Sequence, residues 1–159
     1  MKVLMVCLGN ICRSPMAEGV LKKLTEEQQD ISWEVDSAGV GDWHTGSAPD
    51  HRAIRTAARH GIDISGQQAR TFQPDDFEYF DHILVMDMDI LESIVAKSQL
   101  ARHREKVRLL LDFKYPDQQR IVPDPYFDGK FEQSYQLIYE GCLVFFQQLT
   151  HQDKKDYRP

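Results

Sequence analysis

The chain has 159 residues and a mass of 18.5 kDa, with 25 acidic side chains against 19 Lys and Arg, a net charge of −6 and a pI near 5.5. That length suits one domain able to bury most of its apolar surface. The acidic balance, with no dense Lys/Arg run to offset it, argues against nucleic acid as a generic partner.

The first expected element is a β-rich apolar strand over Lys2–Cys7. Ala17, Val20, Leu21 and Leu24 then recur at helical spacing, which predicts a helix over Pro15–Gln28 with Ser14 as N-cap and Pro15 at the first helical position. Strands follow at Ser32–Asp36, His82–Met86 and Val107–Leu110. Further helices are expected at Pro49–His60, closed by Gly61, at Met88–Leu100, capped by Asp87, and at Phe131–Leu149. The last carries the apolar stripe Tyr135, Ile138, Cys142, Phe145, Leu149, so Cys142 reads as core. Alternating strands and helices predict an α/β fold, a parallel sheet with helices on both faces, in a single domain over residues 1–150. Residues 151–159 read as a polar tail that frays.

No stretch resembles a signal peptide or a transmembrane span, because the apolar N-terminal run is short and Arg13 soon follows. Three Cys without a paired framework suit a reducing compartment. The expectation is a cytoplasmic protein with no membrane insertion.

Ligands on such sheets bind at the carboxyl ends of strands, and Cys7 sits at one. The segment Cys7-Leu8-Gly9-Asn10-Ile11-Cys12-Arg13-Ser14-Pro15 places a Cys and an Arg, with five residues between them, at the junction of a strand and a helix. A loop of this kind can wrap one tetrahedral oxyanion. The planar Arg fork matches two oxygens, and successive backbone N–H groups form a concavity for the others. The helix N-terminus adds its positive end, a field that favours a thiolate at Cys7. The alternative for Cys7 is a buried thiol at a strand end. Asp124, between Pro123 and Pro125, is from spacing alone an ordinary turn aspartate. Asp87-Met88-Asp89 after the third strand admits a Mg²⁺-dependent haloacid dehalogenase reading, but little chain follows it, and a capping role explains Asp87. The six His show no metal-ligand spacing, so no metal is expected.

Three motifs in order, VCLGNICRSPMAE at Val6–Glu18, DSAG at Asp36–Gly39 and VPDPY at Val122–Tyr126, make the chain resemble the low-molecular-weight protein tyrosine phosphatases from Met1 to about Leu149. The resemblance implies a sheet in the order 2-1-3-4 and hydrolysis of phosphotyrosine through a phosphocysteine intermediate. It makes Cys7 the nucleophile, Arg13 the phosphate ligand and Asp124 the general acid. Leu8, Gly9, Asn10, Ile11, Cys12, Arg13 and Ser14 become the phosphate-binding loop. Asn10 and Ser37 fix that loop, and the Ser14 hydroxyl donates to the Cys7 sulfur. Cys12 becomes a redox partner that traps Cys7 as a disulfide, the plain alternative being a small loop filler. No cofactor is implied. Expected partners are phosphotyrosine proteins, with a cognate tyrosine kinase as a candidate.

Gln67 departs from the family, whose vertebrate members carry His there, and it cannot titrate. Trp43, Tyr126 and Phe127, aromatics on loops, are candidates for walls around a phosphotyrosine ring. Two rivals remain in view. A thioredoxin-coupled arsenate reductase needs a further Cys pair, and Phe80 to Leu100 contains none. A non-catalytic phosphotyrosine-binding module would need neither Cys7 nor Asp124.

Overall fold

A computed structural model describes the fold over residues 1–28 and 30–156. Four strands, β1 (Lys2–Cys7), β2 (Glu34–Gly39), β3 (His82–Val85) and β4 (Val107–Leu109), form one parallel sheet in the order β2-β1-β3-β4. The helices are α1 (Arg13–Thr25), α2 (His51–Arg59), α3 (Asp76–Tyr79), α4 (Met88–Val95), α5 (Ala101–Arg104), α6 (Pro125–Asp128) and α7 (Phe131–Asp156), and a 3-10 turn spans Leu110–Phe113.

Strand β1 lies inside the sheet and sends alternate side chains into two cores. Val3, Met5 and Cys7 meet Met16 and Val20 of α1, Ala53 and Ala57 of α2, and Tyr135, Ile138, Cys142 and Phe145 of α7. Leu4 and Val6 meet Ala38, Phe72, Phe77, Ile83 and the Ile90 and Ile94 face of α4. A strand apolar on both faces therefore carries Cys7 to the sheet's carboxyl edge without freedom to slip. Truncating the fully buried Met5 to Ala would cost about 2–5 kcal/mol. Cys142 is fully buried, as its stripe predicts, and burial pushes its thiol up.

Several boundaries differ from the expected ones, each for a local reason. β2 begins and ends later than Ser32–Asp36, because it pairs with β1 residue for residue from Lys2 opposite Glu34 to Cys7 opposite Gly39. Ser37 is thus inside the strand rather than after it. Helix α1 starts at Arg13, not Pro15. Cys12 occupies the N-cap position without a side-chain cap bond, so Ser14 is not the cap.

α2 is shorter than expected: Asp50 caps it by accepting the Arg52 N–H at 2.8 Å, and Gly61, at φ 73°, follows its end. The predicted Met88–Leu100 helix stops at Val95, and α5 follows. Asp87 caps α4 as expected, accepting the Ile90 N–H at 2.9 Å. α7 runs on to Asp156 where a tail from His151 was expected, and Tyr157 to Pro159 lie outside the described residues. No described helix is long and apolar enough to cross a membrane.

Candidate active site

The loop between β1 and α1 turns on Asn10, whose φ of 56° lies in the left-handed region that Asn tolerates better than most residues. Its outward carbonyls are taken by neighbouring chain: Cys7 O accepts Val40 N–H at 3.0 Å, Leu8 O accepts Gly41 N–H at 2.9 Å, and Ile11 O accepts Asp50 N–H at 2.8 Å. Among the described residues, no acceptor takes the N–H groups of Leu8 to Cys12.

The side chain of Asn10 organises the groups behind the loop. Its Oδ1 accepts the Arg70 N–H at 2.9 Å, which sets the amide's orientation and leaves Nδ2 to donate twice, to Ser14 Oγ at 2.8 Å and Ser37 Oγ at 3.0 Å. Ser37 then donates to Glu18 Oε2 at 2.6 Å. Ser14 has one proton, and Cys7 Sγ at 3.0 Å is a nearer acceptor than Ala38 O at 3.4 Å. The hydroxyl expected to cap α1 is therefore committed to the Cys7 sulfur and to Asn10. Gln67 stands apart from this chain of bonds: its Nε2 donates to Pro15 O at 3.2 Å, and its buried Oε1 has no partner among the described residues.

Arg13 lies on the first turn of α1 with its side chain 3% exposed. One Nη donates to Asp87 Oδ2 at 2.6 Å and Val122 O at 2.9 Å, and the other to Asp124 Oδ2 at 3.3 Å. Burial opposes its charge, but Cys7, Asp87 and Asp124 outweigh that and hold the guanidinium above its ordinary value. Asp124 in turn caps α6, its Oδ1 accepting the Tyr126 N–H at 3.1 Å. Burial pushes the Cys12 thiol up, and Asp50, Cys7 and Asp124 push the same way. Cys12 is thus a neutral thiol at physiological pH.

A cavity of about 280 Å³ opens over these groups. Cys7, Leu8, Gly9, Ile11, Cys12, Arg13 and Asp124 line it, with Trp43, His44, Tyr126 and Phe127 at its sides. Trp43 packs on Gly41, where any Cβ would overlap the indole, and Tyr126 meets Phe127 edge to face at 5.2 Å. Trp43 and Phe127 stay 62% and 79% exposed, unlike core aromatics. Of the site residues expected from sequence, Cys7, Leu8, Gly9, Ile11, Cys12, Arg13, Trp43, Asp124, Tyr126 and Phe127 line the cavity, whereas Asn10, Ser14 and Ser37 do not and form the hydrogen-bond network behind it. Nothing in the spacing of His44 marks it in the sequence, and the local pattern at Asp87 points to a cap or to the Asp-x-Asp reading, not to a partner for Arg13. Asp87 of the Asp-x-Asp pair is engaged by the Ile90 N–H and by Arg13, and the described residues contain no group of three or more His, Cys, Asp or Glu gathered as metal ligands would be.

Residues 2–155 match the family model described as low molecular weight phosphotyrosine protein phosphatase. The chain belongs to that family. It is 41% identical over 151 residues to the low molecular weight phosphotyrosine protein phosphatase of Sus scrofa, covering 92% of this chain and 94% of that one. The crystal structure of YfkJ from Bacillus subtilis superposes with a TM-score of 0.89 at 35% identity, covering 96% of each chain. That of DARP, a Drosophila arginine phosphatase, gives 0.85 at 36% identity, covering 94% of this chain and 98% of that one. The expected strand order 2-1-3-4 is the order found, and the family's fold and the motif resemblance agree along nearly the whole chain.

Proposed function

We propose that this member of the phosphotyrosine protein phosphatase family hydrolyses phosphotyrosine in proteins through a phosphocysteine intermediate on Cys7. The observation that carries the reading is the convergence of Cys7, Arg13 and Asp124 on one small cavity, with the Ser14 hydroxyl 3.0 Å from the Cys7 sulfur. The uncommitted N–H groups of the loop and the Arg13 fork hold the phosphoryl oxygens. Cys7 attacks phosphorus as the bond to the tyrosine oxygen breaks, and Asp124 gives that oxygen its proton. Water then attacks phosphorus, Asp124 takes back a proton, and the departing Cys7 thiolate accepts the Ser14 hydrogen bond.

Asn10, Ser37 and Glu18 keep Ser14 aimed, and Asp87 keeps Arg13 aimed. Trp43, Tyr126 and Phe127 flank the tyrosine ring. Cys12 faces the same cavity as Cys7 and serves as its partner in a protective disulfide. The three free cysteines suit action in the cytoplasm, on proteins phosphorylated by a tyrosine kinase.

Phosphoarginine is the substrate class suggested by the name of DARP. Here the mouth is mostly aromatic and, among the described residues, offers a guanidinium one carboxylate, Asp124, already against Arg13. An uncharged ring fits those walls better.

The test is turnover of phosphotyrosine peptide, phosphoarginine peptide and arsenate, with and without chelator, combined with acid-quench trapping of labelled enzyme. Chelator-independent hydrolysis of phosphotyrosine, with label on the Cys7 peptide and none in Cys7→Ser, is expected. Turnover by Cys7→Ser, or a preference for either other substrate, overturns the reading.

A further inference from the structure

A second and larger groove, about 850 Å³, lies beside the candidate active site and takes no part in the chemistry above. One wall is α2, whose sequence His51-Arg-Ala-Ile-Arg-Thr-Ala-Ala-Arg59 carries three Arg and no acid, although the whole chain is at −6. Arg52, Arg55 and Arg59 follow at spacings of three and four, so they share a face about 10 Å long. Lys130, between α6 and α7, faces them. Among the described residues Arg55 and Lys130 have no ion-pair partner. Arg59 donates to the Thr56 hydroxyl at 3.1 Å, whereas Arg52 is paired with Asp50 at 2.9 Å. Glu132, the one carboxylate in the described lining, shares a hydrogen bond with the His60 ring at 2.7 Å and lies within electrostatic reach of Arg59.

Arg52 joins the two sites. Its guanidinium lies 4.8 Å from the Phe131 ring, which lines the groove with it, and 5.3 Å from the Tyr126 ring, which lines the candidate active site. An extended peptide advances about 3.3 Å per residue, so the basic face matches roughly three residues of chain leaving the cavity.

Resting on the reading under Proposed function, we propose that this groove is a specificity surface that binds an acidic stretch of the substrate protein flanking its phosphotyrosine, through Arg55, Arg59 and Lys130. Charge complementarity selects this occupant. A short acidic segment meets the local cations, while a polyanion as extended as nucleic acid would also meet the acidic remainder of the molecule.

The experiment compares kcat/KM of the wild type and the double variant Arg55→Glu/Arg59→Glu on three substrates. These are p-nitrophenyl phosphate, a phosphotyrosine peptide flanked on both sides by Asp and Glu, and the same peptide flanked by Ser and Asn. Both arginines are exposed, so the fold should tolerate reversal. The wild type should prefer the acidic peptide by about five- to tenfold at about 0.05 M salt, and lose most of that preference at about 0.5 M. The double variant should lose or invert the preference and keep its rate on p-nitrophenyl phosphate. Equal wild-type rates on the two peptides, an acidic preference that survives in the double variant, or an equal fall on all three substrates overturns the proposal. A wild type that hydrolyses none of the three overturns the phosphatase reading and this inference with it.

Discussion

Arg13 and Asp87 are joined by a 2.6 Å charge-assisted hydrogen bond across 74 positions of sequence, and the same carboxylate caps α4 through its other oxygen. One aspartate therefore anchors the guanidinium to the end of a helix packed on the sheet. Because the bond is made by one Nη only, the rest of the fork keeps its own direction, toward Asp124 and the cavity.

Asp87→Asn should retain the cap, since Asn caps helices about as well as Asp, while weakening the hold on Arg13. The expected result is a loss of about tenfold in kcat/KM with little change in melting temperature. Asp87→Ala should lose activity to a similar degree and also about 1 kcal/mol of stability. Steady-state kinetics beside thermal melts separate the two roles. A fully active Asp87→Ala enzyme would leave Asp87 as a cap alone.

Asp124→Asn preserves an acceptor for the Tyr126 N–H and so should leave the Pro123 to Pro125 loop in place. If Asp124 is the acid, turnover should fall by roughly 10²-fold on phenolic esters with high leaving-group pKa, and much less on activated esters. Rates plotted against leaving-group pKa should be markedly steeper for the variant. Parallel plots for the two proteins would return Asp124 to the role of loop residue.

Oxidation should distinguish the two loop cysteines. The Cys12 thiol is held up by burial and nearby acidic groups, so mild alkylation at neutral pH should modify Cys7 and spare Cys12. Peroxide should convert Cys7 to a sulfenic acid that condenses with Cys12, losing water, to a disulfide that thiol reverses. Cys12→Ser should instead inactivate irreversibly, which peptide mass mapping and recovery after reductant would reveal.

His82 supplies a pH dependence of stability unrelated to catalysis. Burial pushes its pKa below the ordinary value, against the pull of Asp81, and its ring meets Phe145 edge to face at 5.3 Å. A depressed histidine contributes stability fully present above the unfolded value of about 6.5 and lost as pH falls through the folded value. Carboxylates such as Glu78, held down to about 2 by Arg102 and His103, act in a lower window. Melting temperature should thus decline as pH falls below about 6.5, and His82→Gln should flatten that decline. An unchanged slope in the variant would assign the decline to other groups.

The residues of the candidate site differ in how far the chain alone revealed them. Cys7, Arg13 and the loop between them are covalent neighbours, so a strand, a five-residue interval and a helix already confine them to one turn. Ser before Pro is a strong local signal for a cap, while the resemblance implies that the Ser14 hydroxyl donates to the Cys7 sulfur. The helix starts one residue before Ser14, at Arg13, and the hydroxyl is claimed by Asn10 and Cys7 instead. Local capping preference lost to a buried hydrogen-bond network whose other members, Ser37 and Arg70, come from distant segments.

Strand periodicity, the Cys-to-Arg interval and the apolar stripe of α7 follow from chain geometry at short range, so they are legible along the chain, as is a family resemblance built on contiguous motifs. Three relationships arise only when distant segments pack together. Asp124 reaches Arg13 across 111 positions, Asp87 adds an anchoring role to its cap, and the arginines of α2 gather opposite Lys130 beside the cavity. Each depends on where strand and helix ends meet in space. That is set by burial of both faces of β1 and by its register with β2 and β3, and no spacing along the chain encodes it.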